Sequence, residues 1–176
     1  MGKDVLTRVV QQDCELLEKE FELDTPLTFE NPQVLLLPTE PAYHWFWERS
    51  NFHAVEVENK ATISRLGAYV PDTPYFVTWY PDYLEKLLVI LRIRLPDDEP
   101  NAIFEGFMRL AHEEARNNAL PQVVIWNLDN KELQQHYGEE KGFAWVTRTR
   151  TLSSMAWLPD LNRTVDWYHN EKFCWA

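Results

Sequence analysis

Apolar residues recur at helical spacing across residues 4–23, where Val5, Val9, Leu16 and Leu17 sit among Asp13, Glu15, Glu18, Lys19 and Glu20. That period predicts an amphipathic helix, and the switch to Asp24-Thr25-Pro26 and then Asn31-Pro32 predicts the loop that ends it. Residues 33–37 form a short β-type run closed by Pro38. Thr39 ahead of Glu40-Pro41 offers an N-cap with a proline in the first turn, so a second helix is expected. Its stretch 43–56 carries Tyr43, Trp45, Phe46, Trp47 and Phe52, read as one strongly aromatic face. The pattern then changes period. Residues 62–70, 75–80 and 84–95 are rich in β-branched and aromatic side chains, with turns expected at Pro71-Asp72-Thr73-Pro74 and Pro81-Asp82. Residues 87–91 are continuously apolar, as a central strand covered on both faces requires. A long helix over 100–118 follows, with Ile103, Phe107, Leu110 and Ala111 on one stripe, then a buried-type strand at 122–126. A short helix at 130–138 ends at Gly138, residues 144–152 alternate as a strand, and 164–168 reads as an edge strand.

After the first helix the expected order is β, α, β, β, β, α, β, α, β, β. This is a mixed α/β arrangement on one sheet, with hairpins in the middle and a right-handed parallel crossover between residues 84 and 126. The length of 176 residues suits one domain, here 25–176, with 1–24 as a connector helix leading into it. The aromatic load of 14%, including 8 Trp, requires an aromatic core or an aromatic groove.

Charge narrows the function. A formal net charge of −11 repels phosphate backbones and anionic headgroups, and no compensating basic patch is visible beyond Arg148-Thr149-Arg150. Nucleic-acid and membrane partners are therefore not expected. The longest apolar runs, such as Val34-Leu35-Leu36-Leu37, are too short to span a bilayer, and no leader pattern opens the chain, so a cytoplasmic location is expected. Cys14 and Cys174 then read as two thiols of a reducing compartment, with one disulfide as the alternative. The five histidines, His44, His53, His112, His136 and His169, show no ligand spacing, so no metal is expected. There is no Gly-x-Ser-x-Gly elbow, and only 5 glycines in the chain leave little for a glycine-rich phosphate cradle.

The informative segment is 87–143: buried strand, long helix, buried strand, short helix beginning at Asn, closing Gly-Phe. In that order it resembles the GNAT acetyltransferase superfamily. The resemblance implies that the loop after the first strand holds the coenzyme A pyrophosphate at a helix N-terminus. Asn130, Tyr137, Gly142 and Phe143 match that superfamily's Asn…Tyr…Gly-Phe, with one extra residue between Tyr137 and Gly142. In active members the tyrosine protonates the departing thiolate and the asparagine steadies the pantetheine arm. A longer resemblance runs over residues 35–176. It is carried by Leu-Pro-Thr then His44-Trp45, Thr78-Trp79-Tyr80, Val89-Ile90-Leu91-Arg92, Val124-Ile125-Trp126-Asn127, Ser153-Ser154-Met155-Ala156-Trp157, Val165-Asp166-Trp167 and Asn170-Glu171-Lys172-Phe173. These words resemble the C-terminal half of the fungal lysine N6-acetyltransferase family, in which a separate N-terminal GNAT domain precedes this one and free lysine is the acceptor.

One departure decides the expectation. Where a working GNAT loop is glycine-rich and basic or neutral, this chain reads Leu95-Pro96-Asp97-Asp98-Glu99-Pro100-Asn101-Ala102. Pro96 and Pro100 remove amide donors, and at ~7 Å and an effective dielectric of ~40 each of the three acids repels a unit phosphate charge by about 1 kcal/mol. Asp98 or Glu99 can instead cap the following helix, which would leave its end closed to phosphate. The fold expected is thus a GNAT-like acyl-CoA N-acyltransferase fold with a degenerate cofactor loop, binding no cofactor itself, the acetyl-CoA belonging to the family's catalytic domain.

The remaining candidates each have two readings. Tyr137 is a general acid or a packed ring at a helix end, and Asn130 is a substrate contact or an N-cap. Trp126 and Asn127 either line a groove where the two strands splay or satisfy neighbouring backbone. The aromatic helix is core, or a docking face for another domain. Residues 167–175 are expected along a sheet edge or across the domain. Glu56, Glu58, Glu113, Glu114, Glu139 and Glu140 form a solvated face that could also draw in a cationic lysine. The functional expectation is a non-catalytic, pseudo-catalytic GNAT-like C-terminal domain that packs on a catalytic GNAT domain and shapes its lysine acceptor site. A self-sufficient N-acetyltransferase using acetyl-CoA, and an acidic aromatic-rich module for a cationic partner, are the alternatives.

Overall fold

The computed structural model describes residues 1–24, 33–126, 128, 130–138, 141–147 and 166–168. Its elements are α1 (Lys3–Asp24), β1 (Gln33–Leu35), α2 (Glu40–Phe52), a single π turn (His53–Val57), β2 (Gly67–Tyr69), β3 (Phe76–Asp82), β4 (Leu87–Arg94), α3 (Asn101–Asn117), β5 (Gln122–Ile125), α4 (Lys131–His136) and β6 (Asp166–Tyr168). The main sheet has the order β2-β3-β4-β5, with antiparallel hairpins up to β4 and a parallel β4–β5 pair bridged by α3. The mixed α/β class and the crossover agree with the sequence pattern.

Two cores face away from each other across this sheet. On one side α3 lays Phe104, Phe107, Met108, Ala111 and Ala115 against Val77, Trp79, Leu88, Ile90 and Ile93. On the other, Leu6 and Val10 of α1 and Tyr43, Phe46 and Trp47 of α2 cover Tyr80, Val89 and Leu91. The aromatic load goes largely into this packing: Phe46 meets Tyr80 at 4.9 Å between ring centroids, and Tyr43 stacks on Trp47 at 5.6 Å. The indoles keep their N–H groups satisfied, Trp47 Nε1 donating to the Trp79 carbonyl and Trp79 Nε1 to that of Arg65.

Several expectations need correcting. The sheet is not one: β1 and β6 form a separate parallel pair, with Gln33 opposite Asp166 and Leu35 opposite Tyr168. The second hairpin does not turn at Pro81-Asp82, because both residues lie inside β3. The Asp82 carboxylate instead accepts from the backbone N–H of Leu84 and of Glu85, and so sets the turn over 83–86. Strand pairing in 62–70 is confined to Gly67–Tyr69. Residues 144–147 belong to no strand, while 148–152 of that expected strand and residues 169–175 lie outside the described residues. Thr39 occupies the N-cap of α2, yet its side chain makes no cap hydrogen bond, and the proline in the first turn carries the start alone. The aromatic residues of α2 do not share a face, since Trp45 and Phe52 are exposed while Tyr43, Phe46 and Trp47 are buried. The first helix packs on the sheet through Leu6 and Val10.

Among the described residues no helix is long and apolar enough to cross a membrane. Cys14 is half-buried, its thiol pushed up to about 11 by burial and then by the neighbouring Asp13 charge. Its possible partner, Cys174, lies outside the described residues.

Candidate functional site

The crossover β4–α3–β5 brings the candidate residues into one region. β4 and β5 pair only from Leu87 opposite Gln122 to Ile90 opposite Ile125, and β4 then continues to Arg94 with no β5 residue beside it. The parting coincides with a β-bulge. Against β3, Trp79 faces Ile90 but the next residue, Thr78, faces Arg92, so Leu91 is extra. An added residue reverses the side-chain alternation that follows. Leu88 and Ile90 face α3, and beyond the bulge it is Ile93 that does so. Arg92 and Arg94 are thereby turned to the α1 side.

There they meet carboxylates. Arg92 gives two hydrogen bonds to Asp13, and Arg94 gives one to Asp13 and two to Glu20. The Asp13 and Arg92 side chains are 1% and 3% exposed. Burial alone would raise the Asp13 carboxyl, but the charges and hydrogen bonds of Arg92 and then Arg94 outweigh it and hold the carboxyl below its usual range. This buried network was not foreseen, although two arginines in an apolar strand were a visible signal for it.

The loop ahead of α3 takes a specific form. Asp97, Asp98 and Glu99 are exposed, Glu99 holds a left-handed backbone at φ 51°, and Pro100 occupies the N-cap of α3. The expectation that Asp98 or Glu99 caps the helix fails, because no side chain makes that bond. Pro100 already has helical φ −68° and ψ −16°, and its carbonyl accepts from the N–H of Phe104. What stands against a phosphate here is therefore charge and missing donors, not an occupied cap. Pro96 and Pro100 have no N–H to offer, no glycine is present, and three carboxylates surround the approach.

Tyr137, the C-cap of α4, packs beside the first turn of α3. Its ring is buried against Phe104 at 4.9 Å and Phe143 at 5.1 Å, with the Lys141 ammonium 4.8 Å from its centroid. Its hydroxyl donates to Glu105 at 3.0 Å, and Trp145 Nε1 donates to its backbone carbonyl. Burial first, then that hydrogen bond and the Glu105 charge, push the phenol up to about 12. Glu105 had no distinguishing mark in the sequence. Gly142, at φ 78°, permits the turn that returns Phe143 to Tyr137. Asn130 is the N-cap of α4, its side-chain oxygen accepting from Leu133 N–H at 3.0 Å. Trp126 is half-buried where the chain leaves β5, and Asn127 lies outside the described residues. Tyr137, Phe143 and the start of α3 are thus brought together.

At the other end of α3 a polar groove of about 440 Å³ is lined by Lys60, Arg65, Glu114 and Asn118 among others. Its charges are answered from within. Arg65 lies against Glu113 and Glu114, and Lys60 donates to the Asn118 carbonyl and sits 4.6 Å over Tyr83. Among the described residues no group of acids, histidines and cysteines could hold a metal ion.

A four-stranded mixed sheet whose parallel pair is bridged by a helix and parts beyond a bulge defines a GNAT-like domain. The family model described as the LYC1 GNAT-like C-terminal domain matches residues 1–176, and the chain belongs to that family. No curated protein and no solved structure matches the chain.

Proposed function

We propose that this domain carries no acyl-CoA of its own and works beside a separate catalytic GNAT domain of a fungal lysine N-acetyltransferase, supporting its lysine acceptor site. The observation that carries this reading is the loop 95–100. A pyrophosphate needs converging amide donors and tolerant charge, and here two prolines and three exposed acids stand at the start of α3. Tyr137 fits a packing role better than a proton-donating one, since its hydroxyl is engaged by Glu105 and its pKa of about 12 opposes giving up a proton near neutrality. Asn130 is used as a cap. Acetyl-CoA is then the catalytic domain's cofactor, free lysine its small-molecule substrate and the cytoplasm its setting; the net charge of −11 supports the absence of nucleic-acid and anionic-membrane partners from this reading.

Isothermal titration with acetyl-CoA tests the reading. The expected result is no saturable heat for this chain alone at concentrations up to the millimolar range, and a higher lysine kcat/KM when it is added to the catalytic domain. Micromolar acetyl-CoA binding, or acetyl transfer by the isolated chain, would make the domain an enzyme in its own right.

A further inference from the structure

Helix α2 is anchored to the sheet by Tyr43, Phe46, Trp47 and Ser50, the last donating to the Pro81 carbonyl. The opposite stripe, at spacings of three and four, reads Trp45, Glu48, Phe52, Val55 and Glu56. Aromatic and aliphatic groups belong inside, yet Trp45 is 55%, Phe52 59%, Val55 40% and Val57 60% exposed. Together they present on the order of 400 Å² of apolar surface, the size of the largest patch on a typical monomer, which is often functional.

The backbone under the patch is also unusual. α2 does not end at Phe52 but runs into the π turn, closed by Glu58 N–H to the His53 carbonyl. Such turns are uncommon and concentrate at functional sites. This one leaves His53 Nδ1 buried without a hydrogen-bond partner among the described residues, while bringing Val55 and Val57 to the surface. Stability alone gives no reason for that arrangement.

The charges around the patch say what it fits. Glu40, Glu48, Glu56 and Glu58 are exposed beside it. Of two cations there, Arg49 faces Asp82 at 3.6 Å, and Lys60 faces Glu58 at 3.5 Å, which offsets that glutamate and leaves Glu40, Glu48 and Glu56 as the acidic excess. His44 faces Glu48 at 3.7 Å. A second copy of this chain would bring the same acids face to face, on a molecule already at −11. A stable interface needs about 800 Å² from each partner, so the apolar patch supplies the centre and the glutamates the rim.

Building on the proposed function, we infer that the outer face of α2 and the π turn is the docking surface for the catalytic domain, and that the segment seated on it is amphipathic, with apolar side chains flanked by Lys and Arg. The test is titration of this chain with the separately expressed catalytic GNAT domain of a lysine acetyltransferase of this family. The double variant Trp45→Ser/Phe52→Ser is compared with Leu84→Ser, which removes an exposed leucine from the β3–β4 turn. All three residues are more than half exposed, and retention of the wild-type melting profile verifies the fold of each variant.

The double variant should bind at least about ten-fold more weakly, Leu84→Ser should bind as the wild type does, and Glu48→Lys/Glu56→Lys should lower the affinity and flatten its salt dependence. Wild-type affinity in the double variant would overturn this docking face and leave the proposed function standing. No association of the wild-type chain with the catalytic domain would overturn both. Dimerisation of the chain that disappears in the double variant would assign the face to a second copy and overturn the inference.

Discussion

Asp13→Ala should be the most damaging single change in the buried ion network, and the geometry says by how much. Asp13 takes two hydrogen bonds from Arg92 and one from Arg94. Removing it takes away the buried carboxylate shared by two guanidiniums whose side chains are 3% and 13% exposed. Breaking a buried pair from one side costs about 3–5 kcal/mol. At roughly 2–4 °C per kcal/mol for a domain of this size, the melting temperature should fall by about 10 °C. Glu20→Ala removes a partner that is 39% exposed and leaves Arg94 with Asp13, so its cost should stay within about 1 kcal/mol. Urea unfolding followed by tryptophan fluorescence, read across pH, separates this from lost packing. Asp13 is depressed in the folded state, so its contribution is fully present above the unfolded value of about 3.9 and disappears as pH falls through the folded pKa. The gap between wild type and Asp13→Ala should therefore be flat from about pH 5 to 8 and close below about pH 4. A loss under about 1 kcal/mol, or a gap that persists unchanged into acid, would refute the reasoning.

Two further measurements follow from the geometry. Tyr137→Phe gives up only a bond to the exposed Glu105 and should cost about 1 kcal/mol or less, with no change in turnover when the variant is assayed with the catalytic domain, whereas Tyr137→Ala should cost about 3–5 kcal/mol. Because its phenol is raised to about 12, the associated stability is present below about pH 10 and lost as pH rises through the folded value, which absorbance at 295 nm can follow. Gly67→Ala would drive a Cβ into the Val77 carbonyl oxygen, at φ 155°, and should destabilise by at least about 2 kcal/mol. Gly106→Ala, in the middle of α3 with nothing within 4 Å, should gain about 0.5–1 kcal/mol, and equal melting shifts of the two variants would contradict the packing described.

What could be read from the sequence is what depends on local pattern. The apolar run 87–91, the stripe of α3 and the strand at 122–126 gave the parallel crossover, because each is long and periodic enough to fix its own conformation. The pairing of β1 with β6 was not legible, since a parallel ladder linking Gln33 to Asp166 leaves no mark in either segment alone. Nor was the turn after β3: Pro81-Asp82 looks like punctuation, but Pro81 is carried inside a buried strand and Asp82 works through its side chain. The aromatic residues of α2 were visible, yet a cluster so dense hides which of them face inward. Only a count by helical phase separates Tyr43, Phe46 and Trp47 from Trp45 and Phe52.

The site shows the same division for a sharper reason. Residue identities in the loop 95–100 were enough to argue charge and missing donors, because those properties hold in any conformation. Capping by Asp98 or Glu99 was a claim about geometry, and it failed when Pro100 took the N-cap position itself. The arginines of β4 make the point most fully. Strict alternation from Leu88 and Ile90 would put Arg92 on the α3 side, an unpaired charge among Phe and Leu, which is untenable. The inserted Leu91 resolves this by reversing the alternation, so that Arg92 and Arg94 reach Asp13, 79 and 81 positions away. The ladder to β5 ends at Ile90, the residue before it. One backbone irregularity thus accounts for both the buried ion network that fastens α1 and the parting of the two strands, and neither follows from the period of the strand alone.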